Sequence, residues 1–262
     1  MSTPRTKVPR RPVHGVLLLD KPIGLSSNQA LQKVKRLFRA EKAGHTGTLD
    51  PLATGVLPIC FGAATKFSQL HLDADKSYHA VACLGVQTST GDAEGEVIFS
   101  SDQQVTNEQV QAVLKQFEGP ILQTPPMHSA LKKDGKALYE YAREGIEVER
   151  AARAVTIFSL SGHLMTEDEK ALVKDSATQQ AFAAGASAHE ADKKALIAAQ
   201  SHLAGRQAVS FDALCSKGTY IRTLGEDIGA ALGPKAHLSL LMRTKTGAFE
   251  LSQCVSLAQL EA

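Results

Sequence analysis

Short apolar stretches separated by turn residues dominate the hydrophobic pattern of the chain. Apolar or alternating runs bounded by Gly, Pro, Asn, Asp and Ser predict β-strands. These runs fall at residues 15–19, 56–61, 76–85, 94–100, 154–160 and 209–215. The turn-rich residues 88–92 lie between two of the predicted strands and indicate that this pair forms a hairpin-like unit.

Apolar positions at helical spacing predict four helices between the strands. The first begins at Ser27 or Asn28, either of which can cap it, and its outer face is basic. In the second, Thr106 and Gln109 have the spacing of a capping box. The last three helices are predicted at residues 106–117, 138–143 and 223–232.

Residues 44–51, Gly-His-Thr-Gly-Thr-Leu-Asp-Pro, cannot continue a helix or a central strand and therefore predict a loop. Asp50 precedes a proline, which biases its backbone towards an extended conformation. The apolar residues 56–61 predict a buried anchor for this loop. Asp50 is either a turn residue bonded to nearby backbone or a functional carboxylate, and its spacing alone leaves both open.

Composition limits the class of protein. The chain has 262 residues, 43% of them hydrophobic and 21% charged, as in a soluble globular protein of one large domain or two small ones. No apolar run approaches the ~20 residues that cross a bilayer, and the basic N-terminus lacks the apolar core of a signal peptide. The scattered cysteines favour a reduced cytoplasm without structural zinc; they are Cys60, Cys83, Cys215 and Cys254.

The distribution of charge is more informative than the net charge of +2. Residues 1–50 contain ten Lys or Arg against three acidic residues. Such an excess beside the 44–51 loop can attract phosphate groups. An equally simple interpretation is a solvated helix face together with a flexible basic tail at residues 1–12.

Several segments carry a resemblance to a known family. GHTGTLDPLATGVLP followed by CFGAATKF resembles the signature of the bacterial TruB-type tRNA pseudouridine synthases. Further family-like segments follow the expected order over most of residues 14–251: VLLLDKPIGLSSN, KSY, QTPPMHSALKKDGKALYEYAREG, CSKGTYIRTLGEDIG and HLSLLMRTKTGAF. The resemblance implies an α+β (mixed α/β) pseudouridine synthase fold, with a largely antiparallel central sheet flanked by helices and an active-site cleft.

The resemblance also implies an activity, the isomerisation of the T-loop uridine at position 55 of tRNA to pseudouridine after base flipping. It makes Asp50 the catalytic nucleophile or charge stabiliser, and the choice between attack on C1′ and on C6 stays open. Tyr78 is expected to stack on the uracil and to take part in proton transfer. Without the resemblance, Tyr78 is equally well a packed core or edge residue.

Arg222 is the third expected catalytic residue. An extended backbone through residues 220–222 would point Tyr220 and Arg222 to the same side. An arginine beside a buried carboxylate keeps it ionised, so we expect an Asp50–Arg222 ion pair. Read without the resemblance, Arg222 is a solvated surface arginine.

The other expected substrate contacts come from the resemblance alone. His45 is expected to occupy the space left by the flipped nucleotide, and Tyr220 and Leu241 to line the uracil pocket. Taken by themselves, His45 is a loop histidine and Leu241 an ordinary core residue. A tyrosine is common in the family where His128 stands, so that contact is expected to differ.

The chain departs from the family pattern in two places. Residues 164–207 are expected to be an insertion without chemistry, and twelve alanines in residues 171–204 favour solvated helices there. Since the sequence runs to Leu260-Glu261-Ala262, we expect no small C-terminal RNA-binding (PUA-like) domain of the kind many members carry, and we expect residues 13–262 to form one catalytic domain.

Base isomerisation imports no group and changes no oxidation state. We therefore expect no cofactor and no metal, the T stem-loop of tRNA as the partner, no membrane association and a cytoplasmic monomer. The competing hypothesis is a non-catalytic RNA-binding protein or tRNA-folding chaperone on the same fold.

Overall fold

A computed structural model describes residues 9–173 and 202–262. The helices are α1 (Ser27–Leu37), α2 (Ser68–Leu72), α3 (Asn107–Gln116), α4 (Leu138–Arg143), α5 (Ile221–Leu232) and α6 (Leu257–Glu261). The strands are β1 (Gly15–Lys21), β2 (Ala43–His45), β3 (Ala53–Phe61), β4 (Lys76–Leu84), β5 (Val86–Thr88), β6 (Val97–Ser100), β7 (Gly119–Gln123), β8 (Lys132–Lys133), β9 (Lys136–Ala137), β10 (Arg153–Leu164), β11 (Ala208–Cys215), β12 (Ala236–Thr246), β13 (Phe249–Glu250) and β14 (Val255–Ser256).

One large mixed sheet forms the centre of the fold, in the order β14-β1-β3-β12-β4-β11-β10-β7, with β13 and β2 paired to β12 and β3. Within it β1–β14 and β3–β12 are parallel and the other pairs are antiparallel. The largely antiparallel sheet of the expected fold is thus confirmed. Strand β12, which lies between β3 and β4, was not among the strands predicted from the pattern.

Part of the predicted 44–51 loop is a strand. Residues 43–45 form β2, which pairs with the far end of β3, where His45 lies opposite Ile59. The loop expectation was wrong for Gly44 and His45 because this edge pairing supplies backbone partners that local composition does not reveal. It holds from Thr46 onwards.

The predicted hairpin is present in a changed form. Residues 97–100 (β6) pair with the short β5, and not with β4, whose partners are β11 and β12. Gly85 separates β4 from β5 with φ +81°, a left-handed conformation that glycine adopts without steric cost. The chain therefore leaves the main sheet at this residue.

The helix caps agree in part with the sequence. The capping box of Thr106 and Gln109 is confirmed at α3. At α1 the cap is Ser26, whose hydroxyl accepts from the Gln29 backbone, so the assignment to Ser27 or Asn28 was wrong by one or two residues. The hydroxyl of Ser27 contacts the 46–52 loop instead.

The main hydrophobic core joins the sheet to α1, α3 and α5. A smaller cluster of Val81, Cys83, Leu203 and Ala208 lies where the described ends of the predicted insertion return to the sheet. Two segments lie outside the described residues. They are residues 174–201 of that insertion, where alanine-rich helices were predicted, and residues 1–8 of the basic tail. In the described part, no helix is long and apolar enough to span a membrane.

Two glycines allow α5 to pack very closely on β12. A Cβ at Gly225 would lie 2.7 Å from a Leu238 methyl carbon, and one at Gly229 would lie 2.4 Å from the Ala236 Cβ. Both glycines are buried. Because Arg222 is in the first turn of α5, this close approach also sets the position of the Arg222 side chain.

We expect Gly229→Ala to lower the free energy of unfolding by about 1–3 kcal/mol, because overpacking of the α5–β12 contact outweighs the better helix propensity of alanine. Urea unfolding checks this, with the exposed Ala231→Ser as a control expected to change stability by less than about 0.5–1 kcal/mol. Equal stability of Gly229→Ala and wild type would show that α5 can move away without cost.

Candidate active site

The loop between β2 and β3, residues 46–52, is anchored through its backbone. Thr46 N–H donates to the Pro58 carbonyl at 3.0 Å, and the Pro51 carbonyl accepts from Gly24 N–H at 2.8 Å. The Ser27 hydroxyl both accepts from Leu49 N–H at 2.7 Å and donates to the Leu49 carbonyl at 3.0 Å. These contacts fix the backbone on both sides of Asp50.

Two buried cations complete this anchoring. Lys21 is fully buried, and its ammonium group contacts the carbonyls of Pro22, Leu25 and Pro51. Arg243 donates to the carbonyl of Gly47 at 3.3 Å. The loop is thus bound to β1 and β12 by charge-assisted hydrogen bonds, which are stronger than neutral ones.

Arg222 connects two carboxylates at the centre of the site. Its Nε lies 3.1 Å from Asp50 Oδ2, and its Nη1 lies 3.3 Å from Asp92 Oδ2. Its Nη1 also donates to the backbone carbonyl of Thr90, and its Nη2 donates to that of His128. The expected Asp50–Arg222 ion pair is therefore present, and the arginine is buried with 5% of its side chain exposed.

The two carboxylates differ in their access to solvent. The side chain of Asp92 is 3% exposed, whereas that of Asp50 is 37% exposed and opens into the cleft. Partial burial raises the pKa of Asp50 above its ordinary value, Arg222 opposes this rise, and the Asp92 carboxylate adds to it. The arginine favours the anion as expected, but because it is shared with Asp92 it does not offset the desolvation of Asp50.

A cavity of about 370 Å³ opens beside the ion pair, within the range of small-ligand sites. Asp50 and Arg222 lie in its wall with three other residues expected to contact substrate: Tyr78, Tyr220 and Leu241. Tyr78 comes from β4 and Leu241 from β12, so neighbouring strands of the sheet supply both. Burial raises the pKa of Tyr78 above its ordinary value.

A second cavity, of about 500 Å³, lies against the same ion pair and is lined by His45 and His128. Burial, with Arg243 as a smaller contributor, lowers the pKa of His45, which favours a neutral ring. Its buried Nδ1 has no hydrogen-bond partner among the described residues. A buried polar atom without a partner in a cavity wall is suited to a ligand.

The backbone of residues 220–222 does not continue in the extended conformation that was expected. Tyr220 is the extended N-cap of α5, and the helix already includes Ile221 and Arg222. Tyr220 is held instead by Gln123, whose side-chain amide accepts from Tyr220 N–H at 3.0 Å and donates to its carbonyl at 3.3 Å. The strand alternation used for residues 220–222 was therefore wrong, although both side chains do reach one cavity.

Sequence reasoning missed Asp92, Arg243 and Lys21. Asp92 lay in a turn-rich segment, where a hydrogen bond from the Thr90 hydroxyl at 2.6 Å is ordinary turn chemistry. Arg243 had a usable signal, because it stands two residues after Leu241 and strand alternation puts both on one face. Lys21 ends a strand and resembles a solvated lysine until the tertiary fold encloses it.

The chain is similar to known proteins of one family. Residues 35–182 match the TruB family pseudouridylate synthase (N terminal domain), and residues 222–262 match the tRNA pseudouridylate synthase B C-terminal domain. The tRNA pseudouridine synthase B of Verminephrobacter eiseniae is 57% identical over 98% of this chain and 68% of the relative. That of Ralstonia pickettii is 54% identical over 98% of this chain and 70% of the relative.

Solved structures give the same fold at lower identity. A chain in a Cbf5-Nop10-Gar1 complex is 26% identical with a TM-score of 0.61, covering 96% of this chain and 59% of its own length. A chain in an H/ACA RNP bound to a substrate RNA containing 2′-deoxyuridine is 26% identical with a TM-score of 0.58, covering 93% of this chain. This chain spans 51% of that second relative.

Fold, cleft and sequence similarity together define a pseudouridine synthase, an isomerase that acts on a base of RNA. Within that class the chain belongs to the TruB family of pseudouridylate synthases.

We expect Ser27→Ala to reduce stability by about 1–3 kcal/mol, because it leaves the buried Leu49 N–H without an acceptor. Hydrogen exchange at Leu49 should become faster in the same variant. Ser26→Ala is the matched control, since it removes the α1 cap at a cost of about 1 kcal/mol without touching the loop. Unchanged Leu49 exchange in Ser27→Ala would contradict the anchoring role.

We expect Asp50→Asn to be at least as stable as wild type near pH 7. The pKa of Asp50 is raised in the folded state, so ionisation of Asp50 lowers the free energy of unfolding. The stability that the protonated carboxyl contributes is fully present below the unfolded-state pKa, and it is lost as pH rises through the folded-state pKa. The difference in Tm between the two proteins should therefore narrow as pH falls towards about 4, near the unfolded value. A variant less stable than wild type at pH 7 would show that the ion pair outweighs burial.

Proposed function

We propose that this protein isomerises uridine 55 in the T loop of tRNA to pseudouridine. The observation that carries the proposal is a half-exposed carboxylate, Asp50, paired with Arg222 at the wall of a cavity that also contains the Tyr78 ring. The names of the relatives, tRNA pseudouridine synthase B, support tRNA as the substrate. The family-like loop around Asp50 supports the T-loop uridine.

The proposed chemistry begins with Asp50. Breaking the N1–C1′ glycosidic bond leaves a detached uracil and an electron-poor sugar, and a carboxylate can trap or stabilise either. Arg222 fixes the direction of the Asp50 oxygens, and the buried Asp92 fixes Arg222 in turn. Attack on C1′ and attack on C6 are both compatible with this arrangement.

Access to the carboxylate requires that the uridine leave its stack in the T loop. The second cavity lies on the same ion pair, so the flipped nucleotide can place its base against Asp50 while neighbouring nucleotides contact His45. A neutral His45 ring in the wall of this cavity suits stacking against RNA. Tyr220 and Leu241 would then enclose the uracil.

Recognition of the RNA is expected to depend on shape and backbone charge more than on sequence. Lysines and arginines near the cleft, including the exposed Arg143 in the wall of the second cavity, supply positive charge for phosphates. A tRNA substrate would also place the enzyme in the cytoplasm, where tRNA is processed. We propose that it acts there as a monomer without a cofactor.

The test is release of tritium from tRNA labelled at uracil C5. Wild-type protein should release it stoichiometrically, and Asp50→Asn should release none while it binds tRNA with unchanged Kd, because the carboxylate does the chemistry and adds little to affinity. Asp212→Asn, an exposed carboxylate on β11, is the matched control and should retain full activity.

The same assay distinguishes the alternative function, a tRNA-folding chaperone without catalysis. Wild-type protein that binds and refolds tRNA but releases no tritium would establish the alternative. Equal tritium release by wild type and Asp50→Asn would remove Asp50 from the mechanism while leaving an enzyme.

A further inference from the structure

Arg243 is a buried arginine in the middle of the central sheet. Only 1% of the residue is exposed, and no carboxylate of the described residues forms an ion pair with it. An isolated buried charge is costly, and burying it is compensated here only by neutral hydrogen-bond partners. The fold therefore keeps a cation at a position where an apolar residue of similar volume would cost less.

Strand register determines what this cation faces. Arg243 lies on β12 between two neighbours, with Gly55 of β3 on one side and Tyr78 of β4 on the other. Side chains at paired positions on adjacent strands stand on the same face within about 4.5–5.5 Å at Cβ. The guanidinium and the phenol ring of Tyr78 are accordingly next to each other in the wall of the 370 Å³ cavity.

The remaining contacts orient the guanidinium. Its Nε donates to the Val56 carbonyl at 2.8 Å and its Nη2 to the Gly47 carbonyl at 3.3 Å. A Cβ at Gly47, where φ is +80°, would lie 3.2 Å from Nη1. The group is thus confined by the 46–52 loop and β3, at the β12 position that is paired with Tyr78 of β4.

We propose that Arg243 is a positioning residue for the second half of the reaction, aiming the Tyr78 hydroxyl at uracil C5 and stabilising the Tyr78 phenolate that removes the C5 proton. This inference rests on the proposed function. It adds a residue of β12, with a different partner, to the Asp50–Arg222–Asp92 group, whose members lie on two connecting segments and on α5.

After C5 has joined C1′, the C5–H bond breaks and its proton goes to the Tyr78 phenolate. The electron pair restores the C5–C6 double bond, while N1 takes a proton from water. The new phenol returns its proton to solvent before the next turnover.

The groups around Tyr78 act in opposite directions on this phenolate. Burial opposes it most, and the Asp50 carboxylate and the Cys215 thiol oppose it further, whereas Arg243 favours it. Apart from burial of the ring itself, these effects come from three elements: Asp50 lies on the 46–52 loop, Cys215 on β11 and Arg243 on β12. Arg243 is the group in this set that lowers the pKa of Tyr78, so its removal should disable the base.

A purely structural function is the competing explanation, because Arg243 also anchors Gly47. A double-mutant cycle with Tyr78→Phe, which lacks the hydroxyl but keeps the ring, distinguishes this structural function from the proposed positioning of Tyr78. If Arg243 acts through the hydroxyl, its loss should slow wild type strongly and Tyr78→Phe hardly at all. If it only holds the loop, the two losses should multiply.

The experiment measures single-turnover rates on tRNA, with and without deuterium at uracil C5, for Arg243→Met, Arg243→Lys, Tyr78→Phe and the two double variants. We expect Arg243→Met to be about 10²-fold slower, as when a general base is lost, with an unchanged tRNA Kd and a new C5 isotope effect. Arg243→Lys, which retains the charge, should recover part of the rate. The control is Lys245→Met, which removes an exposed cation two residues along β12 and should leave the rate unchanged.

The pH profile gives the second measurement. The single-turnover rate of Arg243→Met should increase with pH, as that of wild type does, but at higher pH values. The reason is that the Tyr78 phenolate forms at higher pH when Arg243 is absent. Multiplicative losses in the double variant, or an unshifted profile, would overturn the proposal and leave Arg243 as a loop anchor. Should Arg243→Met not fold, Arg243→Lys with and without Tyr78→Phe completes the cycle. Wild-type protein without activity would instead overturn the proposed function.

Discussion

The site depends on one shared guanidinium. Arg222 binds Asp50, Asp92 and two backbone carbonyls at once, so the catalytic candidate, a buried counter-charge and two separate loops meet at a single group. Its own position is determined by the glycine-mediated contact of α5 with β12. Disturbing that contact would therefore change the direction of the carboxylate without altering any residue in the cleft.

The buried cations on the two sides of Asp50 have different kinds of partners. On one side Arg222 is compensated by carboxylates, whereas on the other Arg243 and Lys21 are compensated mostly by carbonyl oxygens. The loop that carries Asp50 lies between these cations. Its backbone is anchored by the Lys21 side chain of β1, by Pro58 of β3 and by the Ser27 hydroxyl of α1, so tertiary hydrogen bonds hold a sequence that is rich in glycine and threonine.

Local chemistry explains which parts of this fold could be predicted from the sequence. The α3 capping box, the β11 alternation and the Asp50 loop rest on neighbouring residues, and they were predicted correctly in type. The cap at Ser26, the pairing of β5 with β6 and the strand β12 depend on partners distant in sequence, which a pattern does not contain. Likewise Asp50 and Arg222 were paired through the resemblance, while Asp92 and Arg243 required the strand order and the loop positions.

Arg222 recognises residue 128 only through its main-chain carbonyl, while the His128 ring faces the second cavity. A substitution at this position therefore keeps the contact with Arg222 available, since every amino acid offers the same carbonyl oxygen. A different side chain here would reshape the wall of the second cavity while the contacts of Arg222 with Asp50 and Asp92 stay in place.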